Sequence, residues 1–171
     1  MAFPVALRGL RTAGGLGGFS LLAGTVVLTG TLIGATRGVQ AAQPSMTIWS
    51  RVYSKAQSAR GEQAYRNSCG YCHKDDLSGG FMDDGVGRAP ALAGPQAFGS
   101  SLVEHWKGQT LGDVVYTIAS TMPKQAPTSL SLDTYVDIVT YLLEKNAVPA
   151  GQDDLPADIP TLRDIAVTPP K

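Results

Sequence analysis

The chain has 171 residues, with 14 Lys plus Arg matched by 14 Asp plus Glu, a length that suits one ordinary domain and some extra chain. At 43% hydrophobic and 16% charged residues, with 20 Gly and 11 Pro, it reads as globular and loop-rich, not disordered or fibrous. The even charge balance excludes the broadly basic surface that holds nucleic acid, so no nucleic-acid partner is expected.

Residues 1–42 contain Arg8, Arg11 and Arg37 and no Asp or Glu, which leaves 11 basic against 14 acidic residues in the remainder. A basic start, an apolar run from Phe19 to Ile33 and the small residues Ala41 and Ala42 have the layout of a secretory signal cleaved near Ala41. The competing reading is an uncleaved anchor, because Leu16 to Ala35 approaches the ~20 apolar residues that span a bilayer. Its Gly and Thr content weighs against that, and a membrane association is expected only if the segment is retained. The rest divides into a domain over residues 43–150 and a Pro-rich extension over residues 151–171.

After a short approach segment, Val52 to Ser68 reads as a helix with Val52, Ala56, Ala59 and Tyr65 as its apolar stripe. Gly61 inside it costs about 1 kcal/mol relative to Ala, which hints that another backbone crosses close by. Lys74 to Gly99 loses periodicity and fills with Gly, Pro and Asp; a loop that long inside a domain is expected to wrap something. Ser100 to Lys107 and Leu111 to Ser120 follow as two short helices, and Leu132 to Asn146 as the best one, with Ser131 as its cap. The last helix places Tyr135, Ile138, Val139, Leu142 and Leu143 on one side and stops at Val148-Pro149. The tail, with Pro156, Pro160, Pro169 and Pro170, is expected to be an extended, partly disordered strap. No strand signal is strong, so the class is all-α with long loops.

The two cysteines of the chain both lie in Cys69-Gly70-Tyr71-Cys72-His73. On a helical turn, C-x-x-C presents two thiols to the two vinyl groups of one porphyrin, and the adjoining imidazole reaches its iron. A covalent haem c would also supply core that a small domain lacks. Three other readings compete. A thiol redox pair needs a helix N-terminus to lower the first thiol's pKa, whereas this pair follows a helical run. A structural zinc site needs four N or S ligands, and here only Cys69, Cys72, His73 and the distant His105 are on offer. A plain disulfide beside a surface His is the third.

With haem present, Met46, Met82, Met122 and His105 are the candidates for the second axial position. Met122 is preferred: in Thr121-Met122-Pro123 it stands where a helix stops and Pro prevents its continuation. Met82 lies only a few residues past His73, Met46 reads as filler, and His105 sits in the polar run Glu104-His105-Trp106-Lys107, where an exposed His is common. Trp106 and Tyr116 are candidates to donate to haem propionates, with core packing as the other role open to both.

Arg60-Gly61 with Tyr65, the Cys69-to-His73 motif, Ala89-Pro90-Ala91-Leu92, Thr121-Met122-Pro123 and the Tyr135-to-Leu143 helix together resemble the class I c-type cytochromes over roughly residues 54–146. Within that class the chain looks like the monohaem domains associated with bacterial quinoprotein alcohol dehydrogenases. The resemblance implies four to five short helices wrapped around one covalently attached haem. It implies that the Pro90 carbonyl accepts the proximal imidazole N–H, that Leu92 packs on the ring, and that Gly61 and Tyr65 meet Tyr141 where the first and last helices cross. It also implies a periplasmic one-electron carrier, with iron ligated by His73 and Met122, serving redox partners such as a quinoprotein dehydrogenase and a terminal oxidase. With both axial positions filled, the expectation is a carrier and not an enzyme. The rivals are a haem sensor or enzyme with an open sixth position, and a thiol-disulfide oxidoreductase.

Overall fold

The structure is a computed structural model that describes residues 43–81 and 87–170; the leader read over residues 1–42, with its cleavage site and the anchor alternative, lies outside the described residues, as does Met82. Among the described residues the helices are α1 (Lys55–Ser68), α2 (Gly70–His73), α3 (Leu102–Trp106), α4 (Leu111–Thr121), α5 (Leu132–Lys145) and α6 (Ile159–Arg163). Four two-residue strands join them: β1 (Met46–Thr47), β2 (Gly80–Phe81), β3 (Arg88–Ala89) and β4 (Ile165–Ala166). The expected all-α, loop-rich fold is the one observed, with more helices than anticipated because the motif forms its own turn and the tail adds another. None of the described helices is long and apolar enough to cross a membrane.

Local chemistry sets the helix starts. The hydroxyls of Ser54, Ser101, Thr110 and Ser131 accept the backbone N–H groups of Gln57, Glu104, Asp113 and Thr134, each satisfying a donor that the first helical turn leaves open. At Thr110 the Asp113 carboxylate also accepts the Thr110 N–H, completing a reciprocal box at the start of α4. The Ser54 cap is why α1 begins at Lys55 and not at Val52.

The inward face of α1 corrects the sequence reading. It consists of Gln57, Ser58, Gly61 and Tyr65, while Ala56 and Ala59 face solvent. Gly61 does what its position in the sequence hinted: a Cβ there would lie 1.9 Å from the Asp137 carbonyl oxygen on α5, so only glycine lets the two backbones cross this closely. Next to the crossing, the Tyr65 and Tyr141 rings pack with centroids 5.3 Å apart. Gln57, a polar residue in this buried face, is satisfied by donating to the Leu155 carbonyl (2.9 Å) and accepting the Leu155 N–H (2.7 Å).

Leu155 belongs to the tail, and the tail departs furthest from expectation. Instead of a partly disordered strap it forms α6 and β4, and Leu155, Leu162, Ile165 and Val167 are buried in the main core with Leu111, Val115, Ile138 and Leu143. β4 pairs in parallel with β1, registering Met46 with Ile165 and Thr47 with Ala166, and the Trp49 indole N–H donates to the Thr168 carbonyl at 2.7 Å. Four apolar side chains spread among prolines escaped a periodicity search because no single element carries them.

The long loop after the motif is tied down at several points. Gly79 N–H donates to the His73 carbonyl (2.9 Å), Leu92 N–H to that of Leu77 (2.8 Å), and β2 pairs antiparallel with β3. Gly79 has φ +61°, and a Cβ on it would fall 2.5 Å from the Pro90 carbonyl carbon and oxygen, so glycine is required for the loop to close against Pro90.

Candidate functional site

The motif itself makes one helical turn. Cys69 ends α1 by donating its N–H to the Tyr65 carbonyl (2.7 Å), and the N–H groups of Cys72 and His73 both return to the Cys69 carbonyl, at 3.1 and 2.9 Å. This brings Cys69, Cys72 and His73 to the wall of a cavity of about 500 Å³, within the range typical of cofactor sites. Pro90 and Leu92 from the long loop and Met122 from the end of α4 line the same cavity, so all six sequence-predicted site residues meet there.

His73 is 7% exposed, and its Nδ1 lies 2.9 Å from the Pro90 carbonyl oxygen. A carbonyl only accepts, so Nδ1 carries the hydrogen and Nε2 keeps its lone pair. Burial lowers the imidazole pKa, with the Pro90 bond opposing it, and so favours the neutral form a metal requires. Leu92 is 7% exposed and is held by Asn146, whose side-chain N–H donates to the Leu92 carbonyl at 2.9 Å while also capping α5 through the Leu142 carbonyl. Asn146 was legible only as the end of a helix; its second role depends on a loop far away in sequence.

On the other elements, Met122 sits at the C-terminal cap of α4 with its N–H donating to the Ile118 carbonyl (2.8 Å), and its own carbonyl accepts the Tyr135 hydroxyl at 2.8 Å. The Met122–Pro123 bond is cis. Met46, on β1, lies outside the cavity lining. His105 is exposed as expected, yet its ring lines the cavity, stacked on Phe98 with centroids 4.8 Å apart and edge-on to Trp106. Phe98, which sequence reasoning did not single out, reaches this position from a backbone at φ +55°. Of the two proposed propionate donors, Tyr116 does not line the cavity: it is 71% exposed, on the solvent face of α4. Trp106 is 5% exposed, lines the cavity, and its buried indole N–H has no hydrogen-bond partner.

The chemistry of the lining discriminates between the readings of the motif. Burial, with Cys72 adding to it, pushes the Cys69 thiol up to about 11, the reverse of the depressed pKa that makes a redox thiol reactive. Among the described residues no three His, Cys, Asp or Glu side chains gather as a metal site would need. Arg88 and Lys124 line the cavity, and among the described residues no Asp or Glu does. A large apolar ring with anionic side groups fits this donor set: a neutral imidazole nitrogen and a thioether for its iron, and an unsatisfied indole N–H with two cationic side chains for its carboxylates.

A family model described as cytochrome C oxidase, cbb3-type, subunit III matches residues 56–142, half of the chain, from the start of α1 to near the end of α5. The chain belongs to this family of c-type cytochromes. No curated protein and no solved structure matches it. Membership makes this cytochrome a haem c electron carrier, and the cavity has the lining that such a cofactor needs. The match leaves out the tail that completes the core.

Proposed function

We propose that this cytochrome is an exported, periplasmic one-electron carrier that holds a single haem c through thioethers to Cys69 and Cys72, with His73 and Met122 as axial ligands. The observation that carries the reading is the buried His73 imidazole, its Nδ1 held 2.9 Å from the Pro90 carbonyl oxygen, in the same cavity as Met122 at a helix end. Bound haem supplies a one-electron iron couple, whose potential His/Met ligation raises. The chain's own residues do the rest. Pro90 fixes the plane and basicity of His73, Leu92, Ile138 and Leu142 line the cavity with apolar surface that would shield the ring from water, Trp106 would donate its unpartnered indole N–H to a propionate, and Tyr135 holds the main chain of Met122. His73 and Met122 would together hold the iron and leave it no open position for a substrate, which is the reading of the chain as an electron relay. The partners proposed are a dehydrogenase of the quinoprotein type as donor and a respiratory oxidase as acceptor.

Intact-mass measurement of the protein purified from periplasm tests this directly. The expected mass lacks the leader and carries one haem, which stays on the chain through a denaturing gel; with Cys69→Ala and Cys72→Ala together the haem is lost. A mature mass without haem would end the proposal.

A further inference from the structure

The segment 151–170 lies beyond the family match, yet it packs on the helix that carries Met122. We propose that α6 and β4 clamp the N-terminal end of α4 and thereby position the Met122 thioether, setting how readily another donor displaces it. This rests on the reading of Met122 as a ligand.

Backbone pairing is the first support. Gly108 N–H donates to the Val167 carbonyl (3.1 Å), Val167 N–H donates to that of Gln109 (2.8 Å), and Thr110 bridges Ala166 antiparallel, so the chain entering α4 is paired to the tail like a strand. Packing is the second. Leu162, Ile165 and Val167 are fully buried in the cluster that holds Leu111 and Val115. At Gly112 a Cβ would stand 2.7 Å from Arg163 Cγ and 3.3 Å from its backbone N, so α4 and α6 touch where α4 has no side chain.

α4 then acts as a rod. Its 11 residues span about 16 Å, and the Met122 N–H is bonded into its last turn. A rod gripped at one end presents its other end at a fixed place, and loosening the grip lets the helix open locally. The Met122 end is held by Tyr135 of α5 and by the Thr128 N–H on the Ala119 carbonyl (2.8 Å). α5 also packs on the helix, and the grip on its entry comes from the tail, which makes the tail a positioning element for the thioether.

Two full-length holoprotein variants separate positioning from plain stability. Leu162→Ala removes packing at the clamp; Leu155→Ala removes the same atoms from the same tail, where it is bonded to Gln57 of α1 and not to α4. In Leu162→Ala, added imidazole should displace the thioether about tenfold faster than in the parent, read as loss of the thioether-to-iron absorption band, and the amides of residues 118–122 should exchange faster. In Leu155→Ala both should stay within about twofold of the parent. Gly112→Ala, a milder wedge against Arg163, should behave as Leu162→Ala and serves if the latter does not fold. Equal acceleration in the Leu162 and Leu155 variants, or none in Leu162→Ala, overturns the clamp. A parent without the thioether band defeats the ligand reading instead, and the exchange comparison then decides the clamp alone.

Discussion

The His73 side of the haem site is built from nearby chain. α1 runs straight into the motif, and Pro90, the acceptor for His73 Nδ1, lies 17 residues on. The Met122 side draws on α4, on Tyr135 of α5 and on a tail more than 40 residues away that pairs with the chain entering α4. The two proposed axial groups are thus held by different kinds of structure. Local geometry, reinforced by one helix crossing, holds His73; on the proposal made above, long-range assembly positions the Met122 thioether. The first should survive perturbations that loosen the second.

The largest effect expected of a single change strikes the His73 side. Gly61→Val would drive a side chain into the Asp137 carbonyl, 1.9 Å from where its Cβ must sit, parting α1 from α5 and costing about 3 kcal/mol or more in chemical denaturation. A variant of parental stability would show that the crossing does not hold α1. Next comes Gly79→Ala, which sets a side chain at positive φ and against Pro90. Backbone strain of about 1–2 kcal/mol adds to displacement of the Pro90 carbonyl. The predicted readout is a shifted reduction potential with the Met122 thioether band retained, because only the imidazole loses its acceptor.

This asymmetry also explains what could be read from the sequence. The motif, Pro90 and Leu92 are short-range features, and Gly61 betrayed a crossing simply by being Gly in a helix. The place of Met122 at the end of α4, on the cavity wall, was readable because Pro123 marks a helix end. The polar inner face of α1 was not, since Gln57 is buried only because the Leu155 backbone meets both ends of its amide. The tail was hidden for the same reason: Leu155, Leu162, Ile165 and Val167 form no periodic stripe and become core only when β1 and α4 supply the other half. Tyr116 was misplaced because helical spacing alone does not say which face of a short helix is wet.

Smaller effects sharpen the Met122 side. Tyr135→Phe deletes the hydroxyl that donates to the Met122 carbonyl and should cost about 1 kcal/mol, with faster amide exchange at the end of α4 and little change at His73. The smallest is a response to acid. The Ser54 hydroxyl first, then Arg60 (2.7 Å), holds the Asp154 carboxyl below its usual value, so its contribution is present above the ordinary carboxylate range and is lost as pH falls through the lowered folded value. Stability should therefore decline in acid, and Asp154→Asn should flatten that decline slightly in pH-dependent denaturation, since exposed pairs contribute about 1 kcal/mol or less. An unchanged slope would remove Asp154 from the fastening of the tail.

The central claim is that His73 and Met122 close the iron from both sides, and the ferric visible spectrum of the full-length holoprotein beside Met122→Ala tests it most directly. A low-spin spectrum with a thioether-to-iron charge-transfer band, lost in Met122→Ala while the haem stays attached, is the predicted result. A parent without that band, or a Met122→Ala variant that keeps it, would contradict the account; a low-spin parent of the bis-imidazole type would move the ligand to His105, which lines the same cavity.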